Sequence, residues 1–403
     1  MEQDQSDSRH RRHCMIVHNY YPLKETRVER EARALIDHGY EVDVICLQSE
    51  GEPSVETRDG VNVYRLSVRR QKNRGPGLQL LEYLAFFVLA FAKVTALHRR
   101  RRYRVVQLHN LPDFLVFAAL VPKLTGARLI LDIHDLMPEF YAARFNSDLT
   151  SWPVRLVHWQ ERISCRFADH VITVTELWRE TLIKRGLPPA KVSVVMNVAD
   201  DRIFHRARGV DPPVRDDDCF RLIYHGTLTQ RYGIDLAIRA VHRVRQEIPV
   251  HMTIHGRGTY LEALVKLTDE LDLRERVHFS TEPVPTCELP LLIMKADLGV
   301  VPYRRDVFTD GILPTKLMEY VALGIPVIAA RTPAIAAYFD ETMVQFFTPG
   351  DPEDLARCIL TLYADRKRLA QLAQGAGEFN RRYNWAKVGA EYAALVERLG
   401  GLQ

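Results

Sequence analysis

The strongest constraint in this chain is a rhythm that runs, lapses and starts again. Short β-branched runs alternate with helical patterns. The runs fall at 14–18, 42–47, 61–66, 105–109, 128–134, 170–175 and 192–196, with helices expected from Arg27 to His38, over a long apolar stretch and from Asp113. Strand, helix, strand at this spacing dictates a parallel sheet covered by helices on both faces. Over 200–218 the pattern gives way to DDRIFHRARGVDPPVRDDD, polar and carrying Pro212-Pro213. It resumes with runs at 220–226, 250–256, 277–280, 297–303 and 325–330, and an amphipathic helix from Trp385 to about Leu399 ends it. The fold class is therefore α/β, with two doubly wound Rossmann-like domains. The expected boundaries are a disordered tail at 1–13, a first domain at 14–200, a linker at 201–218, a second domain at 219–384 and a closing helix at 385–403. Such sheets bind ligands at their carboxyl edges, so the sequence predicts a cleft where those edges face each other.

Composition excludes little beyond disorder and repeats: of 403 residues, 47% are hydrophobic and 26% charged. The placement of charge says more. From Arg65 to Arg104 there are 11 Lys or Arg against one acid, Glu82, in a chain whose formal charge is only +4. That stretch expects an anionic partner. The six cysteines form no Cys-x-x-Cys, which points to buried free thiols in a reducing compartment. The opening MEQDQSDSRHRRH has no apolar core, so no secretory signal is expected there.

The basic stretch contains LQLLEYLAFFVLAFAKVTALHRRRRYR, residues 78–104. Its unbroken apolar run, Leu84 to Ala92, is too short to span a bilayer. Two readings stand. One is a core helix with a solvated basic end. The other is an interfacial helix whose polybasic end adds attraction to anionic lipid. Nucleic acid is not expected, since the basic residues lack interleaved aromatics or a groove-reading helix.

Three segments carry chemistry. In YHGTLTQRYGIDLAIRA (224–240), Gly226 lets a strand turn sharply, Gly233 lies near the next helix start, and Arg231 offers a charged fork to a diphosphate. A plain βα loop with a surface Arg would read the same way. HGRGTYL (255–261) holds Gly256 and Gly258 but lacks the third glycine of a dinucleotide fingerprint, which argues against a standard NAD site. In FTDGILPTKLMEYVALGIPVIAA (308–330), Pro314 prepares a helix start. The amides of Ile312, Leu313, Pro314's neighbour Thr315, and Lys316 would point out of it. Lys316 sits where a cation opposes the helix dipole, so it wants a partner outside the helix, such as a phosphate. Glu319, on the same face, could accept the hydroxyls of a ribose. A surface Lys–Glu pair is the plain alternative. Asp216-Asp217-Asp218 matches Asp-x-Asp only formally, and no His or Cys cluster has metal spacing, so no metal is expected.

The 308–330 stretch resembles the signature of the retaining family-4 glycosyltransferases, which have the GT-B fold, and the resemblance extends from about Cys14 to Leu399. That family carries Glu-x7-Glu. Here the second Glu is Glu319, while the first position is Gly311 and Asp310 lies one residue off. The PxKLxEY form resembles a subgroup in which Lys316 is expected to matter. Gly226 matches the glycine before the phosphate loop. Thr227 and Tyr232 stand where the family has Arg and Lys, which leaves Arg231 as the substitute charge. Gly256 and Gly258 match the loop beside the nucleoside. LILDIHD matches the strand ending in a cleft histidine, His134, and His109 and Asn110 end a neighbouring strand on the acceptor side.

The resemblance implies a retaining, metal-independent glycosyltransferase with no cofactor beyond its nucleotide-diphosphate sugar donor. His134, Arg231 and Lys316 would carry catalysis. Gly226, Thr227, Gly256, Gly258, Ile312, Leu313, Pro314, Thr315, Glu319, His109 and Asn110 would bind substrates. The expected acceptor is a lipid-linked saccharide or glycolipid for surface polysaccharide, met at the inner face of the cell membrane by a cytoplasmic, peripheral enzyme on an anionic surface. Alternatives are a sugar-nucleotide 2-epimerase of the same architecture and a non-catalytic nucleotide-sugar-binding protein. The sequence is silent on oligomeric state.

Overall fold

The computed structural model describes residues 11–22, 25–68, 76–205 and 218–401. The first ten residues of the expected tail lie outside them. So do Arg69, Arg70, Lys72 and Arg74 of the basic stretch, and Pro212-Pro213 and Asp216-Asp217 of the expected linker.

The chain forms two compact units. One runs up to Asn197 and takes in Lys387 onward; the other is Val198–Ala386. In the first, eight strands lie in the order β3-β4-β2-β1-β5-β6-β7-β8. They are β1 (Arg12–Tyr20), β2 (Glu41–Leu47), β3 (Val55–Arg58), β4 (Val61–Leu66), β5 (Val105–His109), β6 (Arg128–Ile133), β7 (His170–Thr173) and β8 (Val192–Val194). All pair in parallel except β3 with β4. The central strands are buried along nearly their whole length, as helices on both sheet faces require. β3 escaped the sequence reading because its residues are mostly exposed and short of apolar periodicity; Asp59 (φ 49°) and Gly60 (φ 84°) make the tight hairpin that adds it to the edge.

The second unit has six parallel strands in the order β11-β10-β9-β12-β13-β14: β9 (Phe220–His225), β10 (Val250–His255), β11 (Val277–Ser280), β12 (Leu298–Val301), β13 (Val327–Ala330) and β14 (Gln345–Phe347). The order reverses between β9 and β12. In the first unit it reverses between β1 and β5. Crevices at such switch points, at the carboxyl ends of the strands, are where doubly wound sheets take ligands.

The final helix, Trp385–Gly400, returns to the first unit. Tyr392 Oη donates to Gln107 Oε1 on β5 at 2.5 Å, and Arg11 pairs with Glu397 at 3.1 Å.

The long apolar helix is Pro76–Arg101. Phe86, Ala90 and Val94 face inward and are fully buried, and its Glu82 pairs with His18 of β1 at 3.3 Å. The opposite face is apolar and exposed: Leu78 is 50%, Leu81 61% and Val88 61% accessible. From Gly77 to Arg101 it is long and apolar enough, by length and composition, to cross a membrane, and 17% of its most apolar 18 residues are buried. This bears on the two readings of the stretch. The helix is longer than its unbroken apolar run, because few charges flank that run. It is also not a plain core helix, because most of its apolar surface lies outside the unit.

The basic stretch is partly neutralised within the fold. Arg65 is buried against Glu52 and Glu56, and Arg101 pairs with Glu41 at 2.8 Å and Asp43 at 3.0 Å. Arg99, Arg100 and Arg102 remain exposed. Of the cysteines, Cys14, Cys46, Cys165 and Cys358 are buried free thiols, whereas Cys287 is exposed.

Candidate active site

In the second unit the signature residues gather at the β9/β12 switch point. β9 ends in His225 and turns at Gly226, whose φ is +117°. A Cβ on Gly226 would stand 3.1 Å from Cε and 3.4 Å from Nζ of Lys316, so the glycine leaves room for the lysine. Gly256 and Gly258 have a different reason. Cβ atoms there would fall 1.9 Å from the Gly226 carbonyl oxygen and 2.0 Å from that of Leu228. These two glycines let the second loop lie directly on the first, where Leu228 N–H donates to the Arg257 carbonyl at 3.0 Å. Their role is to shape the loop pair.

Lys316 opens the Thr315–Ala322 helix, which has no side-chain cap. It is 6% exposed, not a surface residue paired to Glu319. Its ammonium donates to Tyr303 Oη at 2.9 Å and lies 4.9, 5.2 and 5.0 Å from the ring centres of Tyr224, Tyr232 and Tyr303. Tyr232 and Tyr303 stack at 4.4 Å. Burial pulls the Lys316 pKa down to about 8, with Glu319 opposing the shift. A desolvated cation held by ring faces lacks a full counter-charge, and an incoming phosphate would supply one.

Glu319 points to a different partner. Its Oε2 lies 2.5 Å from Nε2 of His225, and the other ring nitrogen of His225 is 2.9 Å from Tyr320 Oη. The Tyr320 hydroxyl also accepts from the His225 amide at 3.1 Å. Glu319 is thus held in place by a buried histidine. Sequence reasoning missed His225; its signal was its position immediately before the turning glycine.

Other expected contacts change. The Ile312 amide already donates to the Thr309 carbonyl at 3.2 Å, so it is not a free phosphate donor. Leu313 and Pro314 are buried and Thr315 exposed. Thr227 is exposed, and its carbonyl accepts from Tyr224 Oη at 2.8 Å. Asp310 is gripped by Arg305 at 2.7 Å. Arg231 lies in the turn Gln230–Tyr232, half-buried, its guanidinium 5.4 Å from the Phe308 ring centre, with no carboxylate partner among the described residues. The next helix, Ile234–Val244, carries Asp235 in its first turn, locked by Arg304 through two 2.7 Å bonds. That carboxylate already serves the helix dipole, so the Thr315–Ala322 helix is the better anion site.

In the first unit a charged network underlies His134. Arg27 grips Asp132 with two 3.0 Å bonds, contacts Glu31 at 3.1 Å and donates to the Val195 carbonyl at 2.8 Å. Asp132 Oδ2 is 3.0 Å from His134 Nε2 and 3.0 Å from His109 Nδ1. Burial opposes ionisation of Asp132, but Arg27 and then His134 hold its pKa well below the carboxylate range. Burial likewise opposes a charge on His134, and Asp132 overcomes it, raising the histidine above its ordinary value. His134 keeps 20% of its side-chain exposure and is the outward end of this chain.

His109 is fully buried, so it lines no acceptor surface and acts only through Asp132 and His134. Asn110 is 7% exposed and positions its neighbours: its side-chain oxygen accepts from the His134 amide at 2.8 Å and its nitrogen donates to the Asp135 carbonyl at 2.7 Å. One atom from each of His109, Asp132 and His134 comes together within 4.8 Å, a spacing open to a metal. The fit is poor, because Arg27 engages both carboxylate oxygens of Asp132 and adds a positive charge beside them.

The comparisons agree with this layout. The Glycosyl transferase 4-like domain matches residues 25–197, and the Glycosyl transferases group 1 family matches residues 219–365. A chitobiosyldiphosphodolichol beta-mannosyltransferase of Candida albicans is 22% identical over 85% of this chain and 79% of its own length. A D-inositol 3-phosphate glycosyltransferase of Catenulispora acidiphila is 26% identical over 91% and 88%. Among solved structures, the sucrose-phosphate synthase of Thermosynechococcus elongatus superposes with a TM-score of 0.78 at 19% identity, covering 98% of this chain and 100% of its own. Anabaena HepE in complex with UDP-glucose gives 0.70 at 15% identity, covering 96% and 99%. With both halves of the chain matched and two parallel-dominant sheets of this kind, the protein belongs to the family-4 glycosyltransferases and has their GT-B fold.

Proposed function

We propose that this enzyme moves a sugar from a nucleotide-diphosphate donor to a lipid-linked saccharide or glycolipid, with retention of anomeric configuration, in the assembly of a surface polysaccharide. The observation that carries the donor reading is the buried Lys316 ammonium under Gly226, beside a Glu319 fixed by His225. The lysine takes the charge of the leaving diphosphate, with Arg231 as a second cation and the Thr315–Ala322 helix start as a third positive element. Glu319 accepts from the ribose hydroxyls. The sugar–phosphate bond breaks as the acceptor oxygen bonds to the anomeric carbon. The acceptor proton passes to the departing phosphate oxygen. No residue of the chain is assigned as general base. His134, charged through Asp132, orients the transferred sugar.

The named relatives support the lipid-linked acceptor. One is a chitobiosyldiphosphodolichol mannosyltransferase and another a phosphatidylinositol monomannoside mannosyltransferase of Mycolicibacterium smegmatis, 30% identical over 177 residues; a putative colanic acid biosynthesis glycosyltransferase of Escherichia coli, 25% identical over 240 residues, supports the polysaccharide setting. The exposed apolar face of the Pro76–Arg101 helix, with Arg99, Arg100 and Arg102 exposed at its end, supports peripheral work on an anionic membrane surface, which this reading sets at the cytoplasmic side. The test is transfer from UDP-, GDP- and ADP-sugars to membrane lipid extract. A new lipid-borne sugar supports the reading. Conversion of the donor sugar without acceptor would mark the epimerase instead.

A further inference from the structure

The first unit holds a second feature that the sequence did not disclose. An apolar groove of about 380 Å³ runs between the start of the Pro76–Arg101 helix, the Met137–Phe145 helix and the Trp152–Phe167 helix. Leu80, Tyr83, Phe114, Phe140, Trp152 and Leu156 are among its walls. Its volume lies in the range of ligand sites rather than packing defects.

Several observations give it an occupant. The walls are unusually open for such residues: Trp152 is 77%, Leu156 56% and Leu80 50% exposed. Leu80 shares its helix with the exposed Leu81, Leu84 and Val88. A contiguous apolar surface of this kind marks a membrane or ligand contact. The groove ends at Leu111-Pro112, directly after Asn110, and at Met137, three residues after His134. Part of its wall therefore comes from the loops that follow the strands carrying the histidine network. One cation stands on its wall. Arg144 is exposed, its guanidinium 6.0 Å from the Phe140 ring centre and 5.7 Å from that of Phe145, without a carboxylate partner among the described residues. Aromatic and aliphatic walls take a hydrocarbon chain, and an arginine held by rings at the edge suits a phosphate.

We infer that this groove holds the first isoprenoid units of the acceptor's lipid, with Arg144 on the phosphate that joins lipid to saccharide. The inference rests on the lipid-linked acceptor reading above and adds to it a defined seat for the tail. The membrane-facing helix is then one wall of a substrate site as well as an anchor.

Binding of geranylgeranyl monophosphate, read by the fluorescence of the groove tryptophan Trp152, tests this. Wild type should give a saturable change that the Trp152→Phe variant lacks. Leu80→Glu and Leu156→Glu, both at exposed positions, should weaken binding at least tenfold. Arg144→Gln should weaken the phosphate form about tenfold and leave geranylgeraniol unchanged. UDP, GDP or ADP affinity should be unaltered in all three, which also reports that they fold. Equal binding of geranylgeranyl phosphate by wild type and both Glu variants would overturn the groove. So would tighter binding of palmitoyl phosphate than of the isoprenoid. Transfer to lipid extract separates the two levels. If extract still receives sugar and the Glu variants leave its KM unchanged, the groove falls and the acceptor reading stands. If wild type labels no lipid but glycosylates a water-soluble acceptor, the acceptor reading falls, and the groove with it.

Discussion

Replacing Lys316 with Met separates the charge of this side chain from its bulk. The amine sits among three tyrosine rings, and burial lowers its pKa to about 8. An unfolded chain would hold the same proton more firmly. The cost of the buried charge is therefore fully present below about pH 8 and fades as pH rises toward the ordinary lysine value. At about 1.4 kcal/mol per unit, the shift costs the fold about 3 kcal/mol near neutrality. Methionine removes that cost but also loses the ring attractions, about 0.5–2 kcal/mol each. Over three rings that is about 1.5–6 kcal/mol against a cost of about 3, so Lys316→Met should unfold in urea within about 3 kcal/mol of wild type. Lys316→Ala, which leaves a cavity, should lose about 2–4 kcal/mol. Nucleotide binding should respond differently. Loss of a charge-assisted contact costs about 1.5–3 kcal/mol, roughly 10- to 150-fold in Kd. Calorimetry with UDP, GDP and ADP reads this directly. Wild-type affinity should decline as pH rises past about 8, while the weak binding of the Met variant stays flat. A Met variant that binds its nucleotide as tightly as wild type refutes the phosphate assignment.

His225→Ala should weaken nucleotide binding about as much as Glu319→Gln, by about 1.5–3 kcal/mol, and the two losses should not add, because one residue acts through the other; additive losses in a double-mutant cycle would contradict the pairing. Asp132→Asn breaks a buried pair with Arg27 and should destabilise the first unit by about 3–5 kcal/mol, read by thermal unfolding. The same change should move the high-pH limb of the pH–rate profile downward, since Asp132 keeps His134 charged above the ordinary histidine range; the stability this pair gives is full below that range and lost as pH rises through the raised value. Changing Arg99, Arg100 and Arg102 to Gln should reduce flotation with anionic vesicles, at about 1 kcal/mol per residue. Arg101 is left in place because Glu41 and Asp43 hold it, and neutral vesicles serve as the control.

Much of the fold was legible because parallel strands buried on both faces read as apolar runs, and those runs fell within a residue or two of β1, β2 and β4–β13. The edge strand β3 was not, since an exposed edge lacks that signature. The glycines after β9 and β10 were legible as motifs, but their reasons were not: Gly256 and Gly258 answer to carbonyl oxygens of another loop, which no local pattern reveals. Lys316 was picked out for its awkward place in a first helical turn. Its tyrosine cage was hidden because Tyr224, Tyr232 and Tyr303 come from three separate segments. His109 looked like a site residue from its place at a strand end, and only packing puts it under His134. Arg27 was passed over in a charge-rich helix, although it anchors the network around Asp132.

The central claim is transfer of a sugar from a nucleotide donor with its anomeric configuration kept. Proton NMR of the isolated product, after incubation with the nucleotide sugar that binds and with lipid extract as acceptor, tests it most directly. The account predicts a glycolipid whose new linkage has the same anomeric configuration as the donor, formed by wild type and reduced about 10²–10³-fold by Lys316→Met. A product of inverted configuration, or a donor sugar epimerised with no lipid labelled, would contradict it.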